Sequence, residues 1–226
     1  MAKQFVFADS HYLHANIIKY LKTPELQNGD LDSFGNWVSD DIRIKRAQQR
    51  DKKLIRNHNS RVKSEDTYIH IGDFICRGNE RGIPGSKMKP NELLSKMNGN
   101  KIMIMGNHDS NNGLNTHITS MRMNVGGMQL LLIHNPAHAS MLLTENDDAI
   151  VHGHVHLAWD IKWWETPFNL KTEPGKPIIK KKIPAINVGG MVRKDIPLEI
   201  NEVIGLILRF INTSKTDSIE QIKNQP

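Results

Sequence analysis

Seven short apolar runs, none longer than nine residues, constrain this chain more than any other feature. They are "QFVFA" (4–8), "TYIHI" (67–71), "KIMIM" (101–105), "QLLLIH" (129–134), "AIVH" (149–152), "PAINV" (184–188) and "VIGLILRFI" (203–211). Each is rich in Ile, Val or aromatic residues and is bounded by Gly, Asn or Asp, so each reads as a strand. Helices are expected at 14–21, 37–63 and 90–97, with another candidate at 138–144. Alternating strands and helices imply an α/β fold with covered sheets, and the strand-rich end implies a second sheet or extra hairpins. Residues 77–90 and 159–183, with Gly, Pro and many charges, read as loops. A chain of 226 residues can bury one sizeable core, so a single domain is expected over 1–212, succeeded by a surface helix or loose tail over 213–226.

The carboxyl ends of these strands are polar in a repeated way. After the first comes "ADSH", with Asp9 and His11; after the second "GDF", with Asp73; after the third "GNHD", with Asn107, His108 and Asp109. The fourth ends at His134, and the fifth runs into "VHGHVH", with His154 and His156. Strand ends of an α/β sheet lie along one edge, so these groups can converge on one site. A lone histidine is more often a buried structural residue. Seven candidates at successive strand ends make that reading poor. The two-residue spacing in "DSH" and "HVH" would, on an extended strand end, send both side chains to the same side.

The chemistry of this set is specific. Imidazole with carboxylate and amide oxygen, and no thiolate, suits borderline or hard divalent ions rather than a sulfur-rich structural site. Asp9, His11, Asp73, Asn107, His134, His154 and His156 are too many ligands for one tetrahedral ion and about right for two ions sharing a carboxylate. Mn²⁺ is the expected metal, with Fe, Zn, Ni, Co or Mg as alternatives. Such a pair clamps a phosphoester for in-line attack, so the inferred reaction is phosphoester hydrolysis.

Composition narrows the partners. The net charge of +6 fits an anionic partner, whether nucleotide, nucleic acid or another phosphate ester. Residues 41–63 carry nine Lys or Arg against two Asp, yet Ile42, Ile44, Ala47, Leu54, Ile55 and Val62 fit one helical stripe, so a solvated helix face is the preferred reading. No apolar run approaches a membrane span, no secretory stretch opens the chain, and the single cysteine, Cys76, cannot form an internal disulfide. A cytoplasmic protein is expected, its oligomeric state left open.

The ordered motifs "DSH", "GD", "GNHD", "H" and "GHVH" resemble the D-x-H, G-D, G-N-H-[DE], H and G-H-x-H pattern of the calcineurin-like metallophosphoesterases. The resemblance covers about residues 4 to 205, includes "HANII", "LIRNHNSRV" and "NVGG", and is nearest to small bacterial and phage members. It implies a four-layer αββα sandwich of two mixed β-sheets with flanking helices. It also implies that Asp9, His11, Asp73 and His156 hold one ion and Asp73, Asn107, His134 and His154 the other, with Asp73 bridging. His108 would stand over the substrate and steady the phosphate or protonate the leaving oxygen. Asp109 would accept the other ring N–H of His108, or else cap the next helix in competition with Ser110.

Three accessory features stay open. "GDFICRGN" is similar to the G-D-x-x-D-R-G of protein phosphatases with Cys76 in place of the second Asp, which makes Arg77 a phosphate clamp or a surface loop arginine. His14 either orients a ligand or touches substrate, or merely starts a helix. Trp159, Trp163 and Trp164 form a base-stacking wall or, the preferred reading, hydrophobic cover. The expected substrate is a small phosphomonoester or diester such as a nucleotide. A nuclease acting on DNA or RNA is the alternative, supported by the 41–63 charge and by Lys180, Lys181 and Lys182. A scaffold without metals is disfavoured because no ligand position is defective.

Overall fold

The computed structural model describes residues 2–78, 81–170 and 179–223. The chain opens with β1 (Gln4–Phe7), α1 (Ala15–Tyr20), α2 (Asp40–Arg61), β2 (Thr67–Ile71), α3 (Pro90–Leu94) and β3 (Asn100–Ile104). It continues through β4 (Ser120–Val125), β5 (Met128–Ile133), β6 (Ala149–His152), β7 (Ile161–Leu170), β8 (Ile179–Asn187), β9 (Leu198–Glu199) and α4 (Ile200–Lys223). Short 3-10 turns lie at Ser110–Asn112 and Pro136–Met141. One sheet has the order β3-β2-β1-β9, parallel except for β9; the other runs β4-β5-β6-β8-β7 with antiparallel edges and a parallel centre.

The two-residue period of each strand splits its side chains between two cores. Val6, Ala8, Ile69, Ile71 and Ile104 of the first sheet meet Leu130, Leu132, Ala149, Val151 and Ile186 of the second in one buried cluster. The opposite faces carry Phe5, Phe7 and Tyr68 against α1 and α2, and Leu131, Ile133 and Ile150 beneath Ala139, Leu143, Trp159 and Trp164. Strands buried on both faces read as continuous apolar runs, which is why these segments stand out in the sequence. Truncating a side chain such as Leu132 to Ala would cost about 2–5 kcal/mol. Layers of helix, sheet, sheet and cover result, the last built from the Pro136–Met141 turn and tryptophans.

Three sequence expectations are corrected. Residues 203–211 are helical, part of α4, not a strand: Ile200, Val203 and Ile207 recur at helical spacing and enter the inter-sheet cluster. Residues 159–183 are not a loop over their described part. They hold the β7–β8 pair: Lys162 and Glu165 lie on the edge strand β7, Lys180, Lys181 and Lys182 on its neighbour β8, and Pro167 falls within a register shift between Glu165 and Asn169. The 138–144 segment forms a 3-10 turn rather than an α-helix. β4 was unforeseen, although Gly126 and Gly127, with φ of 58° and 82°, make the two-residue hairpin that joins it to β5. Parts of the expected 77–90 and 159–183 loops and the end of the 213–226 tail lie outside the described residues.

The tryptophans serve as cover. Trp159 and Trp164 pack on the second sheet's outer core, and the Trp163 ring lies 5.2 Å from that of Phe210 of α4, tilted by 44°. Among the described residues no helix is long and apolar enough to cross a membrane.

Candidate metal centre

The strand ends do converge. Asp9, His11 and His156 each offer a ligand atom within 4.8 Å of the others, and so do Asp73, His134 and His154. Asn107 lies between two imidazoles: its Oδ1 is 3.1 Å from His134 Nε2 and 3.0 Å from His154 Nδ1. The two groups meet through Asp73, whose Oδ2 is 3.4 Å from His134 Nε2 and 3.7 Å from His11 Nε2. His108 stands beside them, with Nε2 3.8 Å from Asp73 Oδ2.

Local backbone, rather than strand pleat, sets this geometry. Asp9, His11, Asp73, His154 and His156 all have positive φ, between 45° and 72°. The expectation that "DSH" and "HVH" continue extended strands is therefore corrected, since β1 ends at Phe7 and β6 at His152. Left-handed residues other than Gly cost on the order of 1–3 kcal/mol each and persist only where surroundings over-determine them. Those surroundings are visible. The Asp9 and His11 N–H groups donate to the Gly72 and Asp73 carbonyls, each at 3.0 Å. The His154 N–H donates to Asp9 Oδ2 at 2.9 Å. Close approach also requires glycine: a Cβ on Gly106 would lie 2.1 Å from the Asp73 nitrogen.

Several positioning residues escaped the sequence reading. Arg50 of α2 is almost fully buried, and its Nη1 donates to the Ser10 carbonyl at 2.7 Å, behind the "DSH" turn. The signal was present: Arg50 falls three residues after Ala47 and four before Leu54, on the apolar stripe. Ser10 Oγ donates to the Phe74 carbonyl at 2.9 Å and lies 2.8 Å from His70 Nε2, tying the first motif to the second. Asn187 holds the last motif, donating through Nδ2 to the His156 carbonyl at 2.8 Å.

Two role expectations meet different surroundings. Asp109 neither accepts from the His108 ring nor caps the next turn with its side chain. Its Oδ2 accepts the Asp73 and Gly106 N–H groups and its Oδ1 that of Phe74, all at 2.8 Å, because full burial demands a partner for each carboxylate oxygen. Arg77 does not pair with the cluster. Its guanidinium is placed against Gly113 after the 3-10 turn, and among the described residues no hydrogen bond or ion pair joins it to the Asp and His groups. His14, by contrast, is buried 5.4 Å from the His11 ring with both ring nitrogens unpartnered.

The electrostatics fit a bound cation. Burial, with Asp73 nearby, pushes the Asp9 carboxyl up to about 7. Burial works against Asp73 too, but the hydrogen bond and charge of His134 hold it below the usual carboxylate range. His134 is raised to about 9: its burial is outweighed by Asp73 and Asp9. Burial depresses His11, His154 and His156, favouring the neutral ring, which leaves one nitrogen of each with a free lone pair. Both ring nitrogens of His11 and Nδ1 of His156 are buried without a hydrogen-bond partner. Neutral imidazoles with open nitrogens around under-compensated carboxylates are what a divalent ion requires. The His134 Nδ1, 2.9 Å from the Ile71 carbonyl, leaves Nε2 toward the cluster, as in ligating histidines.

The chain is 29% identical over 92% of both lengths to the uncharacterised protein MJ1445 of Methanocaldococcus jannaschii. Its fold matches the crystal structure of the protein AQ665 of Aquifex aeolicus with a TM-score of 0.55 and 22% identity, covering 92% of this chain and all of that one. Residues 45–191 match the family model of the calcineurin-like phosphoesterase superfamily domain, and the chain belongs to that superfamily.

Proposed function

We propose that the protein hydrolyses a small phosphomonoester or diester, of the nucleotide class, with two divalent ions shared through Asp73. The observation that carries this reading is the convergence of Asp9, His11 and His156 with Asp73, His134 and His154 around Asn107. Divalent cations held there neutralise phosphate oxygens and acidify the attacking water.

The remaining work falls to the chain. Asp73 presents Oδ2 to both halves of the site, while its Oδ1 accepts the His108 N–H at 2.9 Å, so bridging carboxylate and acid are tied together across the loops after β2 and β3. The His108 side chain is 27% exposed, enough to reach a bound ester, and its imidazole serves to protonate the departing oxygen. Asp109 acts through the backbone of Asp73. Arg77 has weak support as a clamp, given its place against Gly113.

The nuclease alternative has less support from the charged segments once some of their cations are seen to be paired. On α2, Arg46 pairs with Asp30 at 2.7 Å, Lys53 with Asp195 at 3.0 Å, and Arg50 is spent on backbone carbonyls. Lys181 donates to the Asp147 carbonyl and Lys182 pairs with Glu165. These five cations are engaged within the chain, which weakens the charge argument for a polyanion, while the net charge stays at +6. A screen of nucleoside monophosphates, cyclic nucleotides, bis(p-nitrophenyl) phosphate and single-stranded DNA with Mn²⁺ tests the reading. Small esters turning over faster than DNA is the expected result; no hydrolysis of any ester sinks it.

A further inference from the structure

A groove of about 410 Å³ opens directly beside the cluster, with Asn107 and His134 in its wall. Its remaining lining is of a different character. Met105, Ile133, Met141 and Leu142 are apolar, and Asn135 and His138 are polar. Met141 is 77% exposed and Leu142 39%, far more than folding alone favours for such side chains. The volume falls in the range of small-molecule sites, about 300–1,000 Å³, and the mix of apolar walls with few polar groups is typical of them.

We infer that this groove seats the nucleoside of a nucleotide substrate, its base lying between Met105, Met141 and Leu142 and its polar edge meeting Asn135 and His138. The inference rests on the cluster being the phosphate site. The wall formed by Asn107 and His134 sets the phosphate end, and the apolar walls then receive whatever the phosphate carries. Thioether side chains favour a planar ring, since sulfur is polarisable and contacts aromatic edges well. The polar edge suits the ring heteroatoms of a base better than a purely aliphatic group. Asn135 accepts the Ala137 N–H through Oδ1 at 2.9 Å, so its amide NH₂ is the end left to donate to a base.

Equilibrium dialysis with Mn²⁺-loaded protein tests this, using two phosphonates that resist hydrolysis. One is the methylene analogue of adenosine 5′-monophosphate, the other that of ribose 5-phosphate, which lacks only the base. Wild type is expected to bind the adenosine analogue at least tenfold more tightly. Met141→Ala/Leu142→Ala should bring the two affinities together, with the ribose analogue unchanged. His138→Ala, an independent and exposed change, should halve the preference or more. Equal affinities in wild type, or a preference that survives all three substitutions, overturn the inference. Hydrolysis of bis(p-nitrophenyl) phosphate by the same preparation separates the two readings. Turnover without base preference defeats the groove alone, whereas preference without any turnover defeats the proposed reaction and leaves the groove.

Discussion

The carboxylate of Asp109 grips the backbone of Asp73, its Oδ2 accepting the Asp73 N–H at 2.8 Å. The same oxygen takes the Gly106 N–H, so one side chain joins the loop after β2 to the loop after β3. Asp109→Asn replaces an acceptor by a donor that faces these N–H groups. A loss of about 1–3 kcal/mol in stability is expected from the unsatisfied partners, with lower metal occupancy because Asp73 is no longer held. Urea unfolding and metal analysis by mass spectrometry read both; full metal content would remove Asp109 from the positioning role.

Asp73 and His108 are expected to separate metal from rate. Asp73→Asn should lower occupancy and nearly abolish hydrolysis. His108→Ala should keep its metal while kcat falls about 10²–10⁴-fold, the range of a general acid. Loss of metal in the His108 variant would make that residue a ligand, which its 3.8 Å approach to Asp73 Oδ2 permits.

Gly106 faces the tightest approach in the site. A Cβ there would lie 2.1 Å from the Asp73 nitrogen and 2.2 Å from its Oδ1. Gly106→Ala therefore forces the two loops apart and should destabilise by several kcal/mol, or leave a folded protein that no longer takes up Mn²⁺. A variant with ordinary thermal midpoint and metal content would show that the loops yield freely.

Acid should destabilise the metal-free chain. Burial holds His14 and His152 at about 3, His70 at about 3 and His58 at about 4. Their folded values lie below the unfolded one of about 6.5, so the unfolded chain binds more protons between roughly pH 4 and 6.5. Stability present above that window is lost as pH falls through it. Asp9 and Asp51, pushed to about 7 by burial, act in the opposite sense, being protonated in the fold. Four histidines, joined by the depressed His11, outweigh the two carboxyls and His134, which at about 9 also favours the fold toward acid, and the urea midpoint is expected to be lower at pH 5 than at pH 7.5. A higher midpoint at pH 5 would show that the carboxyls dominate.

The fold was legible where apolar runs were buried on both faces. β1, β2, β3, β5 and β6 lie within a residue of where "QFVFA", "TYIHI", "KIMIM", "QLLLIH" and "AIVH" place them. It was illegible where composition and period disagree. The β-branched density of 203–211 points to a strand, while its spacing of three and four is helical; packing of Ile200, Val203 and Ile207 into the inter-sheet core settles the matter. The β7 edge strand was hidden because Lys162 and Glu165 face water among its apolar residues and Pro167 breaks the run.

The residue types and their order carry the chemistry: acid, imidazole and amide oxygen without thiolate, spaced one motif per strand end, suit a divalent ion. Where each group points is a matter of long-range contact. His154 reaches Asp9, and Asp109 reaches Asp73, across 145 and 36 positions of chain, and left-handed backbone at five of the ligand candidates is tolerated only because those distant partners hold it. No local pattern encodes such restraint, since its energy comes from surfaces that meet only after the two sheets have packed.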